Sequence, residues 1–234
     1  MNAKTLRDEL RTLANPDIAA HSQRFFRTES GGYGEGDRFL GIRVPVVRKV
    51  AKTGRGLPLK GIATLLHSRW HEERQLALVI MVERFKKADE DQQHQLHTLY
   101  LDNISHVNNW DLVDLTAPWL VGAWLTDRDR SLIHQMAKSE HLWIQRIAVM
   151  STFAFIRAND FHDTLTLAKQ LLHHEHDLMH KAVGWMLREV GNRDRAVEET
   201  FLADHYHTMP RTMLRYAIEK FPEPLRLDYL KGRA

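Results

Sequence analysis

The sequence predicts an all-α protein, an α-solenoid of about six two-helix units forming one array over residues 1–234. Three observations carry that expectation. Beyond the first fifty residues, apolar side chains recur at helical spacing, as in Leu65, Leu66, Leu76, Leu78, Val79, Val82 and Phe85, and strand alternation is nearly absent. A short pattern, a basic or aromatic residue followed by small and apolar ones, begins at 74, 110, 146, 181 and 215, giving intervals of 36, 36, 35 and 34. The seven prolines fall near ends or first turns of the helical stretches, where a residue without an amide hydrogen is tolerated. An ordinary bundle of evenly sized helices is the competing architecture, and the near-regular interval counts against it.

Taken in order, the helical stretches are 61–67, 72–86, 91–102, 110–125, 129–137, 141–157, 162–172, 176–190, 195–205 and 210–220. With two helices per period, the same face of every second helix would line one concave, basic surface. The one clear loop lies at 30–37 and contains Ser30-Gly-Gly-Tyr-Gly-Glu-Gly36, which reads as flexible. It lacks the third glycine and the preceding strand of a dinucleotide fingerprint, and Gly54-Arg-Gly56 is not a phosphate-binding P-loop.

Composition narrows the function classes. Hydrophobic residues make up 43% of the chain, enough for a core, and charged residues 27%, enough for a solvated surface. No apolar run approaches the ~18 residues of a membrane span, and the first ten residues, MNAKTLRDEL, lack the apolar core of a signal peptide. The absence of cysteine excludes disulfides, thiolate catalysis and cysteine zinc sites, and fits a cytoplasmic protein. The net charge is only +3, so an anionic partner must be served by local patches. Candidates are Arg38, Arg43, Arg48, Lys49, Lys52 and Arg55; then Arg188, Arg193 and Arg195; then Arg211, Arg215 and Lys220. Such patches recurring along an array suit a phosphate backbone.

The chemistry-bearing segment is Asn108-Asn-Trp-Asp-Leu-Val-Asp114. Trp110 and Asp114 are four apart, one turn above each other on a helix, so an indole face lies beside a carboxylate. That pair stabilises a cation by attraction to the ring and by charge. Asp111 falls in the first helical turn, where a carboxylate complements the helix dipole, and is read as capping or orienting. The plain structural reading is a helix start with a buried tryptophan. Repeat spacing adds Arg146, and Lys181 or Trp185, from later units. A carboxylate flanked by aromatic faces suits breakage of a glycosidic bond, yet no second carboxylate is placed to protonate the leaving group. A leaving group that already carries positive charge removes that need.

The chain resembles the AlkD family of alkylpurine DNA glycosylases, proteins of the DNA alkylation repair class. The matching stretches are Phe39-Leu-Gly-Ile-Arg-Val-Pro45, Trp110-Asp-Leu-Val-Asp114, Leu142-Trp-Ile-Gln-Arg-Ile-Ala148 and Lys181-Ala-Val-Gly-Trp-Met-Leu-Arg-Glu189, in the family's order. The resemblance implies HEAT-like repeats that cup duplex DNA and release N3- or N7-alkylated purines without extruding the base. It implies that Asp114 is the catalytic acid, that Trp110 and Trp185 pack on the lesion's deoxyribose, and that Arg146 anchors the backbone. Arg188, Arg43 and Lys181 are further candidate DNA contacts. No cofactor and no metal are expected, and the implied protein is a monomer acting on alkylated double-stranded DNA, with no membrane partner. Two departures stand out: the 30–37 loop precedes the first shared motif, and Arg43-Val44 replaces a position often polar and uncharged in the family.

Plainer assignments accompany these. Trp185, followed by Met186-Leu187, has a core position as its alternative, and Trp70, Trp119, Trp124 and Trp143 are read as solenoid core. Glu72 and Glu73 are read as capping or decorating their helix, and Glu189 as pairing with a basic neighbour. His173, His174, His176 and His180 invite a zinc reading, but the metalloprotease glutamate is missing between the last two, and a solvated helix start is expected. Two other functions compete: a non-catalytic HEAT-like module that holds branched or distorted DNA, and a protein-interaction solenoid.

Overall fold

In the computed structural model, which describes residues 2–234, the chain is all-helical, and among the described residues the only β-type pairing is an isolated bridge between Arg38 and Trp70. Its contacts divide it into two compact units, Met1–Leu120 and Val121–Ala234.

The first unit holds α1 (Ala3–Arg11), α2 (Pro16–Phe25), α3 (Val44–Thr53), α4 (Leu59–Leu66), α5 (His71–Phe85), α6 (Glu90–Asp102) and α7 (Trp110–Ala117). Helix α5 is its centre, packing against α3, α4, α6 and α7. It is buried nearly all round, from His71 to Phe85, which makes it a core helix rather than an amphipathic surface one. Its first turn is polar, so five buried polar residues, His71 to Gln75, must find partners inside the protein.

The second unit holds α8 (Ser131–Met136), α9 (Leu142–Arg157), α10 (His162–Gln170), α11 (Asp177–Gly191), α12 (Arg195–His205), α13 (Arg211–Ala217) and α14 (Glu223–Lys231). Here α11 is central, packed against α9, α10, α12 and α13. Gly184 lets α11 and α13 approach closely: a Cβ there would sit 2.4 Å from the Met213 carbonyl oxygen. The pattern-leading residues Arg74, Trp110, Arg146, Lys181 and Arg215 fall in α5, α7, α9, α11 and α13, one in every second helix. The interval of the thirties therefore does report helix pairs.

The predicted helices from 61 onward match observed elements within a few residues. Four helices lie outside the predicted stretches: α1, α2, α3 and α14. Helix α2 buries none of its residues fully, so it gives no core-facing apolar stripe; its signal is the Asn15-Pro16 start, where the Asn15 side chain accepts from the Ile18 amide. The stretch 110–125 is not one α-helix. It runs as α7 to Ala117 and then as a π-helix over Pro118–Ala123. Pro118 lies inside that stretch and not near one of its ends, contrary to the expectation for all seven prolines; it has no amide hydrogen, its ring crowds the preceding turn, and the wider π turn accommodates it.

The glycine-rich segment is a folded set of turns. Gly34 and Gly36 donate back to the carbonyls of Arg27 and Thr28, the Tyr33 hydroxyl donates to the Phe25 carbonyl, and Glu35 accepts from the Gly31 amide. Gly36 has φ +78, and a Cβ on Gly34 would lie 2.4 Å from the Phe26 carbonyl oxygen. The turns deliver Asp37 into the core.

Candidate active site

Helix α7 starts with Asn109, whose side chain is fully buried and accepts from the Trp110 amide. That cap fixes where the first turn begins, and hence the directions of Trp110, Asp111 and Asp114. Trp110 and Asp114 stand one turn apart on α7, each half-buried. The Asp114 charge raises the neighbouring Tyr100 hydroxyl's pKa further, on top of a larger effect from burial.

Beside this turn lies a buried polar chain that no sequence motif announced. Asp37 accepts from Arg74 through both oxygens, at 2.7 and 2.8 Å, and from His71 Nδ1 at 2.9 Å. His71 Nε2 reaches Asp111 Oδ2 at 2.8 Å, and Gln75 Nε2 donates to the same oxygen at 3.0 Å. Arg74 also donates to Asn108 Oδ1 and the Ser68 carbonyl. With a carboxylate on each ring nitrogen, both must carry hydrogens, so His71 is an imidazolium. Burial works against that charge, but the charge of and bond to Asp111, then those of Asp37, outweigh it and push the pKa up to about 9. Burial likewise raises Asp37, yet the His71 bond and Arg74 charge prevail and hold it below its ordinary value. Two acids face two cations, so the cluster is balanced.

Aromatic rings join the same two helices. Trp110 stacks on Phe26 at 5.3 Å, Phe26 on Phe39 at 4.9 Å, and Phe39 on His71 at 4.4 Å. Phe25 meets Trp110 edge-on at 6.0 Å. An open pocket of about 390 Å³ adjoins this column, lined by Phe26, Phe39, Arg43, His71, Gln75 and Asp111 among others. One further oxygen of the cluster, Asp111 Oδ1, is buried without a hydrogen-bond partner.

Several plainer assignments change. Glu72 does not decorate its helix: its carboxylate is buried and accepts the amides of Leu40 and Gly41 at 2.8 Å and Ile42 at 3.1 Å, fastening the Phe39–Pro45 segment to α5. Glu73 is equally buried, paired with Arg7 and Arg11 and bonded to Ser68. Asp111 is a partner of His71 as well as a first-turn acid. Trp143 is core, but Trp70, Trp119 and Trp124 are only partly buried, with Arg69, Lys86 and Arg128 lying over their rings. Long cationic side chains thus cover part of those indoles.

The remaining site candidates are placed as follows. Arg43 is exposed at the start of α3, on the pocket rim. In the second unit Arg146 is buried and donates to the Leu178 carbonyl, tying α9 to α11. Lys181 pairs with Asp177 at 2.7 Å. Trp185 is half-buried, its Nε1 donating to Glu189 at 2.9 Å. Glu189 thus takes an indole hydrogen, with Arg188 at a looser 3.6 Å and bonded to Glu219 as well. The histidine run starts α11: His176 Nδ1 accepts from the Leu178 amide, and His180 bonds to the His174 carbonyl. No group of three His, Cys, Asp or Glu side chains suited to a metal occurs among the described residues.

Fold and site together define a class: an all-helical protein of stacked helix pairs carrying an indole and a carboxylate one turn apart, braced by a buried ion cluster. The chain belongs to the DNA alkylation repair enzyme family, whose model matches residues 6–221. Its fold is shared with a solved structure described as a predicted DNA alkylation repair enzyme from Enterococcus faecalis, at a TM-score of 0.68 and 14% identity, over 90% of this chain and 97% of that one. Among curated proteins, no sequence match was found.

Proposed function

We propose that the protein is a monofunctional DNA glycosylase that releases N3- or N7-alkylated purines from duplex DNA. The observation that carries this reading is the Trp110–Asp114 pair, one turn apart and half-buried on α7, in a chain of the DNA alkylation repair family. An alkylated purine is cationic before the reaction. When its bond to C1′ breaks, the electron pair goes to the base nitrogen and quenches that charge, so no acid is needed for the leaving group. Positive charge then develops on the sugar, where the Asp114 carboxylate stabilises it and orients the attacking water. Water adds at C1′ and releases a proton to the surrounding solvent, leaving an abasic site and the neutral free base. Trp110 contributes its ring face to the sugar cation.

The roles of Trp185 as a second sugar contact, and of Arg146, Lys181, Arg188 and Arg43 as DNA contacts, rest on the resemblance of their motifs. The protein acts without a cofactor and as a monomer. Incubation with duplex DNA carrying 7-methylguanine tests the proposal: base release above the spontaneous rate is expected, and none across several alkyl adducts refutes it.

The exposed basic side chains Arg38, Arg43, Arg48, Lys49, Lys52 and Arg55 favour a second reading, a module that holds DNA without cutting it. Salt-dependent binding to branched or distorted DNA with no base release would select it.

A further inference from the structure

We propose that His71 is a positioning residue for Trp110 and, through the same helix turn, for Asp114. This deepens the glycosylase reading and rests on it for the meaning of those two residues. His71 is 2% exposed and sits at the start of the central helix α5. From there it holds the first turn of α7 by two independent routes. One is polar, the 2.8 Å bond from Nε2 to Asp111, the residue that follows Trp110. The other is the ring column His71–Phe39–Phe26–Trp110, whose successive centroids lie 4.4, 4.9 and 5.3 Å apart. Asp37 holds the far side of the ring at 2.9 Å and is itself fixed by Arg74, so the imidazolium cannot swing away. A misplacement of about 1 Å at a reacting group costs on the order of 100-fold in rate, so a brace at this point governs the chemistry without joining it.

The two ring nitrogens separate the contributions. An asparagine amide occupies the place of Nδ1, so His71→Asn keeps the partner Asp37 and loses Asp111. A glutamine amide reaches the place of Nε2, so His71→Gln keeps Asp111. The charged groups facing His71 are Asp37 from the turn segment, Asp111 from α7, and Arg74 and Glu72 from its own helix; Arg74 is committed to Asp37 and Glu72 to backbone amides.

The experiment uses the full chain labelled with 5-fluorotryptophan, the Trp110 fluorine signal assigned with Trp110→Phe, and folding checked by circular dichroism. We expect the Trp110 signal to shift in His71→Asn, to stay nearer its place in His71→Gln, and in the wild type to titrate near pH 9. Base release from 7-methylguanine duplex is expected to fall by about 10-fold or more in His71→Asn and less in His71→Gln. An unmoved Trp110 signal in folded His71→Asn, or equal rates in both variants, overturns the inference. If the wild type releases no base, the functional reading fails alone, and the fluorine signal still decides whether His71 positions Trp110.

Discussion

His71 and Asp111, forty residues apart in the chain, meet at 2.8 Å between Nε2 and Oδ2, and this bond joins the central helix of the first unit to the turn that carries Trp110. Its ionic character gives stability a defined pH dependence. The folded-state pKa of His71 is about 9 against an ordinary 6.5, so the stabilisation is complete below the ordinary value and is lost as pH rises through 9. Up to about 3 kcal/mol is at stake. Thermal melts between pH 6.5 and 9.5 should show the melting temperature falling, and His71→Gln should flatten that part of the slope.

Glu198 on α12 slopes the same way for a different reason. Burial pushes its carboxyl up to about 8 from 4.5, helped by Glu199 and opposed by Arg195 and Arg188. Folding therefore takes up a proton between those values, and the cost grows as pH rises from 4.5 to 8. Glu198→Gln should raise stability at pH 8.5 by about 2 kcal/mol and leave it little changed at pH 4. Denaturant titrations of both proteins at the two pH values measure this.

Glu72→Gln keeps the shape of the side chain but turns an oxygen toward a backbone amide into an NH₂ group. Three amides, those of Leu40, Gly41 and Ile42, converge on that carboxylate. A loss of about 2–3 kcal/mol is expected by chemical denaturation, since buried donors are left facing a donor.

Gly184→Ala tests the packing of the helix that bears Trp185. The new Cβ would meet the Met213 carbonyl oxygen at 2.4 Å and the Tyr216 Cβ at 2.6 Å, and backbone cannot step aside as a flexible side chain does. About 1–3 kcal/mol of destabilisation is expected from overpacking, read as a lowered melting temperature.

How far these features were legible in the sequence follows from the range over which they act. The helices from 61 onward were readable because their apolar residues repeat at the helical period, and the pairing interval was readable from Arg74, Trp110, Arg146, Lys181 and Arg215. Trp110 and Asp114 were readable as a couple because four residues is one helical turn. His71 was not, since its partners Asp37 and Asp111 lie 34 and 40 residues away and only the fold brings them in. Glu72 and Glu73 looked like first-turn surface acids, a position acids favour on any helix; the apolar run 76–82 marks the body of α5 as buried, but the burial of its polar first turn comes from the distant 40–42 segment and from Arg7 and Arg11 of α1. Pro118 marked a disturbance inside 110–125, but a π turn and a helix end leave the same trace. Helix α2 was missed because it buries no apolar stripe, although Asn15-Pro16 marked its start.

Whether Asp114 assists glycosidic bond breakage is read from single-turnover base release on 7-methylguanine duplex, measured beside duplex binding. Asp114→Asn is expected to bind the duplex as the wild type does but to release base on the order of 100-fold more slowly, as when one transition-state interaction is removed. Base release by Asp114→Asn at the wild-type rate, or a parallel loss of binding, would contradict it.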